Sequence, residues 1–226
     1  MYKYKYLITL VVLLVMLSFW GYEKVEYTYI EKPLFGKVIF VDPGHGGRDP
    51  GTIYGKIYEK DINLEISKVL EHELSVNGAI VYLTREDDID YSSEWDVNKK
   101  RGDLYRRLLM MRNNELKVDI YLSVHINWGD NFSWSGAEVL YHPINSKNEK
   151  LASTIMMRFK NELGSNKKVK KTDLYMYKNT TIPGVLIECG FLSNPNDRYL
   201  LQQDDYQLKV AKTITSGVID YFMLID

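Results

Sequence analysis

Short apolar runs alternate with longer amphipathic segments between residues 37 and 222. Runs rich in Val, Ile, Leu and Tyr that are bounded by polar residues are typical of strands. Six runs have this character, at residues 37–42, 79–84, 119–126, 137–142, 173–177 and 184–189. This number of strands is enough to form one sheet.

Between these runs, apolar residues recur with a helical period. The clearest stripe, which lies on one face of a helix, consists of Ile62, Ile66, Val69, Leu70 and Leu74. Similar stripes predict helices within residues 104–111, 149–163 and 206–222. The alternation of strands and helices predicts a single α/β domain with a mostly parallel six-stranded twisted sheet and helices on both faces. In such folds, functional sites form at the carboxyl ends of the strands.

The first 22 residues have a different pattern. Lys3 and Lys5 precede an uncharged apolar stretch from Tyr6 to Trp20, which predicts a membrane anchor or a cleaved signal segment at residues 1–22. The anchor is favoured because no small-x-small cleavage motif follows the stretch. A buried core helix is the third alternative, and the absence of a polar face argues against it. Lysines before the stretch place the rest of the chain outside the cytoplasm, either membrane-anchored or secreted.

Composition and charge set the remaining limits. Residues 23–36 are charged and contain Pro33 and Gly36, so we expect a linker there and a catalytic domain at residues 37–226. A chain of 226 residues can bury one sizeable core. Its 29 Lys and Arg residues nearly balance its 30 Asp and Glu residues, which argues against a nucleic-acid partner. The single cysteine, Cys189, excludes an intrachain disulfide.

Two histidines follow predicted strands. His45 lies in the segment VDPGHGG after the first strand, and His125 lies at the end of the third, in YLSVHIN. One such histidine is more often structural, but two at the same sheet edge indicate metal binding. Glu59, Asp61 and Glu65 are candidate carboxylates in the helix that follows the His45 loop, and Glu59 is preferred because it opens that helix. Two histidines and one carboxylate are the ligand set of a catalytic zinc with one position open for water.

Glu188 lies in the most apolar strand, in the segment GVLIEC. A carboxylate in such a strand is costly unless it has a partner or a function. The alternative is a strand end that forms a salt bridge or reaches solvent. Beside a metal, an apolar wall raises the pKa of a carboxyl group, which can then take a proton from water and pass it to a leaving nitrogen. This arrangement is typical of a hydrolase.

The chain contains the motifs VDPGHGGRDPG, LTRED, SVHINW, SGAEVLY and IECGFLSNPND. Together with Glu59, and in this order, they resemble the zinc-dependent N-acetylmuramoyl-L-alanine amidases of bacterial cell walls. The resemblance implies that His45, Glu59 and His125 hold one catalytic Zn²⁺ and that Glu188 is the catalytic glutamate. It also implies hydrolysis of the amide bond between N-acetylmuramic acid and L-alanine in peptidoglycan.

The short domain behind an N-terminal apolar segment, with KRGDLYRR before the second histidine strand, is similar to the CwlD-type amidases of spore formers. This similarity implies removal of peptide stems from the spore cortex at the forespore envelope, before muramic-δ-lactam forms, in sporulation and germination. Residues 86–103 are unlike a minimal loop. They shape specificity or bind another protein, and the sequence leaves both open.

Two other functions use the same residue types. A zinc peptidoglycan carboxypeptidase or endopeptidase would cut a different bond, and a catalytically silent peptidoglycan-binding scaffold would need no chemistry. Arg85 in LTRED and Asn127 beside His125 are candidate substrate-binding residues or supports for the metal ligands; a surface ion pair or a strand-end cap is the alternative. An accessory activating protein is a candidate partner, because a Gly-rich loop loses conformational entropy when it closes on a metal.

Overall fold

The computed structural model describes residues 2–20, 32–113 and 116–225. The chain divides into two compact units, residues 1–31 and 32–226. The first unit contains helix α1 (Tyr2–Trp20), on which the apolar residues Leu10 to Leu14 and Met16 have exposed side chains. Within the described ranges, no helix is both long and apolar enough to cross a membrane. The anchor or signal segment at residues 1–22 stays a prediction, and most of the expected linker lies outside the described residues.

The second unit contains the sheet. In chain order, its elements are β1 (Val38–Pro43), β2 (Ile53–Tyr54), β3 (Ile57–Tyr58), α2 (Glu59–Val76), β4 (Ile80–Leu83), α3 (Lys99–Met111), β5 (Ile120–Asn127), β6 (Glu138–Tyr141), α4 (Ser146–Glu162), β7 (Lys170–Lys171), α5 (Tyr175–Lys178), β8 (Gly184–Phe191), α6 (Pro195–Leu200) and α7 (Asp204–Ile225). Strands β2 and β3 form a separate antiparallel hairpin.

The main sheet has the strand order β4-β1-β5-β8-β6-β7. Its neighbouring strands are parallel except at the β6–β8 pair, which is antiparallel. The prediction of a single α/β domain with a mostly parallel six-stranded sheet is therefore confirmed. The central strands β1, β5 and β8 are buried along nearly their whole length, as expected for parallel strands that are covered on both faces.

Alternate side chains of each strand point to opposite faces of the sheet. One face packs against α2, α4 and α7 in the larger core, which includes Val41, Leu70, Phe159 and Val218. The other face packs against α3 and α5 in a smaller core. Full burial of one such side chain contributes roughly 1.5–3 kcal/mol. The second face has fewer apolar residues, and the polar residues of the candidate site lie there.

One predicted strand is wrong. Residues 173–177 do not form a strand; Tyr175–Lys178 is a single helical turn, and the sixth strand is the two-residue β7. The physical reason is that Met176 and Tyr177 are buried in the smaller core from this turn. A short apolar run can bury its side chains from either conformation, so its periodicity does not separate the two.

Candidate active site

A row of polar side chains crosses three strands on the α3 face of the sheet. In the parallel β5–β8 pair, His125 lies opposite Glu188. In the antiparallel β6–β8 pair, Glu188 lies opposite Glu138. Side chains at opposite positions of paired strands lie on the same face of the sheet. His125, Glu188 and Glu138 are therefore neighbours, although they are far apart in the chain.

The loop after β1 brings His45 to the same place. An added Cβ on Gly44 would overlap the imidazole ring of His125, so only glycine lets the loop approach this closely. His45 itself has a φ of 62°, a left-handed conformation that is uncommon outside glycine and is concentrated at functional sites. The glycines of the VDPGHGG motif therefore allow the two histidines to meet.

His45, Glu59 and His125 form one cluster. Glu59 Oε1 lies 3.2 Å from His45 Nε2 and 3.0 Å from His125 Nδ1. The two imidazole rings are nearly perpendicular, with centroids 4.9 Å apart. One ligand-type atom from each of the three residues lies within 4.8 Å of the others. The structure thus brings together the three residues that the sequence predicts as a ligand set.

Glu59 is fixed by backbone and side-chain donors. It is the first residue of α2, and its Oε1 accepts a hydrogen bond from the Ile126 backbone N–H at 3.1 Å, while its Oε2 accepts one from the Thr52 N–H at 2.8 Å. Asn63 donates both to Glu59 and to the Gly44 carbonyl. Burial opposes the charge of Glu59, but hydrogen bonds and charge interactions with the two histidines hold the pKa of this carboxyl far below its usual range.

His45 lies between two carboxylates. Its Nδ1 is 2.9 Å from Asp49 Oδ2, in an ion pair rather than a well-aligned hydrogen bond, and its Nε2 faces Glu59. Burial favours the neutral imidazole, but Asp49 and Glu59 raise the pKa of His45 to about 9. The two carboxylates thus surround the imidazole of His45 with negative charge. A divalent cation would balance the same charge.

Glu188 differs from Glu59 because it has few partners. Its side chain lines the groove beside the histidines, but its Oε2 is buried and has no hydrogen-bond partner among the described residues. Burial, followed by the charges of Glu59 and Glu138, raises the pKa of Glu188 well above its usual value. A raised pKa lets a carboxyl group hold a proton that an ordinary glutamate would release, which is a property that acid–base catalysis uses.

Arg85 lies beneath the loop rather than in the groove. Its side chain is buried and donates to the backbone carbonyls of Pro43, Gly44, Lys60 and Asp87 at 2.8–3.1 Å. These bonds connect the segment that follows β4 with the His45 loop and with the start of α2. Arg85 thus supports the elements that hold His45 and Glu59.

Asn127 lines the groove, but its side-chain amide is already hydrogen-bonded. Its Nδ2 donates to Glu138 Oε1 at 2.5 Å, and its Oδ1 accepts a hydrogen bond from the Trp128 N–H at 2.8 Å. The amide therefore fixes Glu138 beside Glu188 and fixes the start of the loop that follows β5.

A buried charged network that the sequence patterns did not indicate lies behind the site. Arg107 is 1% exposed and donates to Asp42 Oδ1 and Asp103 Oδ2 at 2.8 and 2.9 Å. It also donates to the carbonyls of Pro43 and His45 at 2.8 and 2.6 Å. The spacing of Asp103 and Arg107, four residues apart on one helix, was the available signal. The charges were not recognised as buried because charged side chains are rarely inside.

The cluster fits a metal ion. Two imidazole nitrogens and one carboxylate oxygen are typical zinc ligands, and three protein ligands leave the fourth position of a catalytic zinc for water or substrate. The contact between His45 and Asp49 adds the carboxylate that often orients a zinc-binding histidine. A groove of about 400 Å³ exposes the cluster together with Glu188. A second cavity of about 220 Å³ lies on the α3 side of the two histidines.

Comparison with known proteins agrees with this geometry. Residues 39–220 match the N-acetylmuramoyl-L-alanine amidase family Amidase_3. The chain is 40% identical over 195 residues to the germination-specific N-acetylmuramoyl-L-alanine amidase of Bacillus subtilis, covering 84% of this chain and 81% of that protein. It is 33% identical to the N-acetylmuramoyl-L-alanine amidase LytC of the same organism, covering 85% of this chain but only 37% of LytC.

The fold is shared with solved amidase structures. The CwlD amidase of Clostridioides difficile, solved in complex with the GerS lipoprotein, superposes with a TM-score of 0.78 at 34% identity, covering 83% of this chain and 99% of that chain. An N-acetylmuramoyl-L-alanine amidase from Clostridium difficile 630 superposes with a TM-score of 0.73 at 30% identity, covering 83% of this chain and 97% of that chain. The chain therefore belongs to the N-acetylmuramoyl-L-alanine amidase family and is an enzyme of that class, a hydrolase of amide bonds.

Proposed function

We propose that this amidase depends on one zinc ion and that Glu188 is its catalytic residue. The observation that carries the proposal is the meeting of His45, Glu59 and His125, whose ligand-type atoms lie within 4.8 Å of one another, in the same groove as Glu188. We assign the three clustered residues as the metal ligands. The substrate bond is the amide between N-acetylmuramic acid and L-alanine in peptidoglycan, in keeping with the family.

His45, Glu59 and His125 would hold the zinc, which would act as a Lewis acid toward the amide carbonyl and lower the pKa of a nearby water. Glu188 takes a proton from the attacking water and then delivers it to the departing nitrogen of L-alanine. The products are a free carboxyl on the lactyl group of muramic acid and a free amine on the peptide. The raised pKa of Glu188 suits both halves of this transfer, because the same group must first accept and later release the proton.

Arg85 and Asn127 take positioning roles in this proposal. Arg85 holds the loop that presents His45 through its bonds to the Pro43 and Gly44 carbonyls. Asn127 holds Glu138, and the charge of Glu138 contributes to the raised pKa of Glu188. Each residue acts through another side chain or through the backbone, rather than through contact with the substrate.

We further propose the spore cortex as the substrate material. The support is the 40% identity to a germination-specific amidase over most of both chains, together with the structural similarity to the CwlD amidase. In this role the enzyme removes peptide stems before muramic-δ-lactam forms. It acts outside the cytoplasm, at the forespore envelope, either secreted or anchored by residues 1–22.

An accessory protein is the proposed partner. The CwlD amidase with which this chain shares its fold was solved in complex with the GerS lipoprotein, and the His45 loop of this chain is rich in glycine. A partner that orders this loop before the metal binds would remove part of the entropy cost of closing the site.

The deciding experiment removes and restores zinc. The full chain is treated with a chelator, dialysed and assayed on cortex and on vegetative peptidoglycan, with and without added zinc. We expect loss of activity after chelation, recovery with zinc, and faster release of stems from cortex. Activity that persists in metal-free protein would refute the zinc assignment, and equal rates on both walls would refute the cortex assignment.

Mass spectrometry of the products separates the alternative reactions. An amidase leaves stems with a free amino-terminal L-alanine and muramic acid without a peptide. A carboxypeptidase or an endopeptidase leaves L-alanine attached to the sugar, and a silent scaffold leaves the muropeptides unchanged. Intact muramoyl–alanine bonds after incubation with the zinc-loaded chain would overturn the proposal.

A further inference from the structure

The groove beside the metal ligands has two chemically different parts. One part contains the charged pair Asp49 and Lys100, whose side-chain oxygen and nitrogen are 3.8 Å apart. The other part contains Trp128, which directly follows β5. A polar site and an aromatic side chain thus share one groove.

Trp128 belongs to a loop that exposes a second aromatic ring, Phe132, beside the residues that line the groove. The side chains of Trp128 and Phe132 are 40% and 59% exposed. Their rings pack edge to face with centroids 6.4 Å apart and an interplanar angle of 85°. We call these two residues the aromatic platform. Exposed apolar surface that is rimmed by polar residues is a candidate ligand-binding surface.

The platform is held in place from below. The Trp128 N–H donates to Asn127 Oδ1 at 2.8 Å, and the Gly129 N–H donates to Ser193 Oγ at 3.1 Å. Asn194 Nδ2 donates to the Phe132 carbonyl at 2.8 Å. The backbone on each side of the platform is therefore hydrogen-bonded to the end of β5 or to the segment that follows β8. A surface that is fixed in this way loses little entropy when a ligand binds.

The chemistry of the substrate identifies the occupant, so this inference rests on the proposed function. The scissile amide lies on the lactyl arm of a sugar, and the glycan strand therefore leaves the site within a few bonds. The faces of sugar rings present C–H groups, which pack against the negative faces of aromatic rings. We propose that the aromatic platform binds the glycan strand, with Trp128 against the muramic acid and Phe132 against the neighbouring sugar.

The test measures binding of peptide-free strands of alternating N-acetylglucosamine and N-acetylmuramic acid. These strands contain no scissile amide, so binding is separated from catalysis. Isothermal titration of the full chain compares Trp128→Ala and Phe132→Ala with the matched control Phe35→Ala. Phe35 is 80% exposed and precedes the amino end of β1, whereas the groove lies at the carboxyl ends of the strands. We expect the Kd to rise about tenfold in each platform variant, as for loss of one ring contact, and to stay constant in the control.

A platform variant that binds the strands as tightly as the wild type would overturn the inference. An equal loss in Phe35→Ala would do the same. Thermal unfolding of each variant shows whether it is folded, and the exposure of both platform rings predicts that it is. If the chain binds the strands through the platform but hydrolyses no amide, the proposed amidase function is refuted. The inference that the platform binds glycan strands is then still supported.

A second readout compares substrates. Phe132→Ala should lower kcat/KM about tenfold more for polymeric peptidoglycan than for N-acetylmuramoyl-L-alanyl-D-isoglutamine, which has no neighbouring sugar. An equal change for both substrates would show that Phe132 does not bind the second sugar. Hydrolysis of both substrates by the wild type confirms the reaction independently of this comparison.

Discussion

Glu188 lies directly opposite His125 in the parallel β5–β8 pair. This register sets the candidate catalytic carboxyl beside a candidate metal ligand without any contribution from a flexible loop. Because the two strands are central and almost fully buried, the spacing of the two side chains is fixed by the backbone hydrogen bonds of the sheet. The arrangement meets the need of acid–base catalysis for a rigidly held proton carrier.

The first prediction concerns the chemistry of Glu188. Glu188→Gln keeps the size of the side chain but removes its ability to take up a proton. We expect kcat to fall by roughly 10²–10⁴-fold with unchanged zinc content. The measurement is stem release at saturating peptidoglycan, together with metal analysis. A variant that retains turnover would exclude Glu188 as the proton carrier.

The second prediction concerns the buried guanidinium behind the His45 loop. Arg107→Gln breaks the pairs with Asp42 and Asp103 and the bonds to the Pro43 and His45 carbonyls. We expect the free energy of unfolding to fall by about 3–5 kcal/mol, because two buried carboxylates lose their partner. Urea unfolding measures the loss.

The adjacent residue provides the control for this measurement. Arg106 makes a partly exposed pair with Asp96, so Arg106→Gln should change the free energy of unfolding very little. Equal losses in the Arg106 and Arg107 variants would show that the buried network does not stabilise the site.

The third prediction concerns the close approach of the two histidines. Gly44→Ala places a methyl group into the His125 ring, and we expect zinc affinity to fall at least tenfold. Gly36→Ala is the control, because its Cβ meets no atom within 4 Å although its φ is +76°. It should reduce stability through backbone strain and leave zinc affinity unchanged. Titration with zinc, read by competition with a chromophoric chelator, separates the two effects.

The fourth prediction concerns pH. Burial opposes the charge of Asp42, but Arg107 and Thr84 lower the pKa of this carboxyl from 3.8 to about 2. A group whose pKa is lower in the folded protein stabilises the fold above its unfolded pKa. That stability is lost as the pH falls from about 4 towards 2. The shift corresponds to about 2 kcal/mol.

Comparison with Asp42→Asn isolates this contribution from other carboxyl groups that titrate in the same range. The difference in free energy of unfolding between wild type and variant should be largest above pH 5 and should narrow as the pH falls to 2. A difference that is constant over this range would show that the pKa of Asp42 is not lowered in the folded protein.

Much of the architecture was predictable because the central strands and long helices have strong hydrophobic patterns. The conformation of residues 173–177 was not predictable, because Met176 and Tyr177 reach the core from a helical turn rather than from a strand. The cluster of His45, Glu59 and His125 was predictable because the carboxyl ends of parallel strands meet at one edge. The position of Arg85 beneath the His45 loop was not predictable. Sequence alone does not show that the hydrogen-bonding partners of this side chain are backbone carbonyls.

The buried network of Asp42, Asp103 and Arg107 illustrates the same limit. Its members come from β1 and α3, and each is a charged residue that a sequence pattern assigns to the surface. Only the folded chain shows that their charges cancel inside the protein. The aromatic platform could not be predicted either, because the identity of an aromatic residue does not show whether its side chain is exposed or buried.

The order of strands in the sheet has a consequence for how the enzyme is made. Strand β8 lies between β5 and β6, although it is the last strand to be synthesised. A growing chain that has not yet reached residue 184 lacks both Glu188 and the strand that completes the hydrogen bonding of β5. With Glu188 as the proposed catalytic residue, such a chain would lack lytic activity, so the ability to degrade a wall would arise only when synthesis of the sheet is complete.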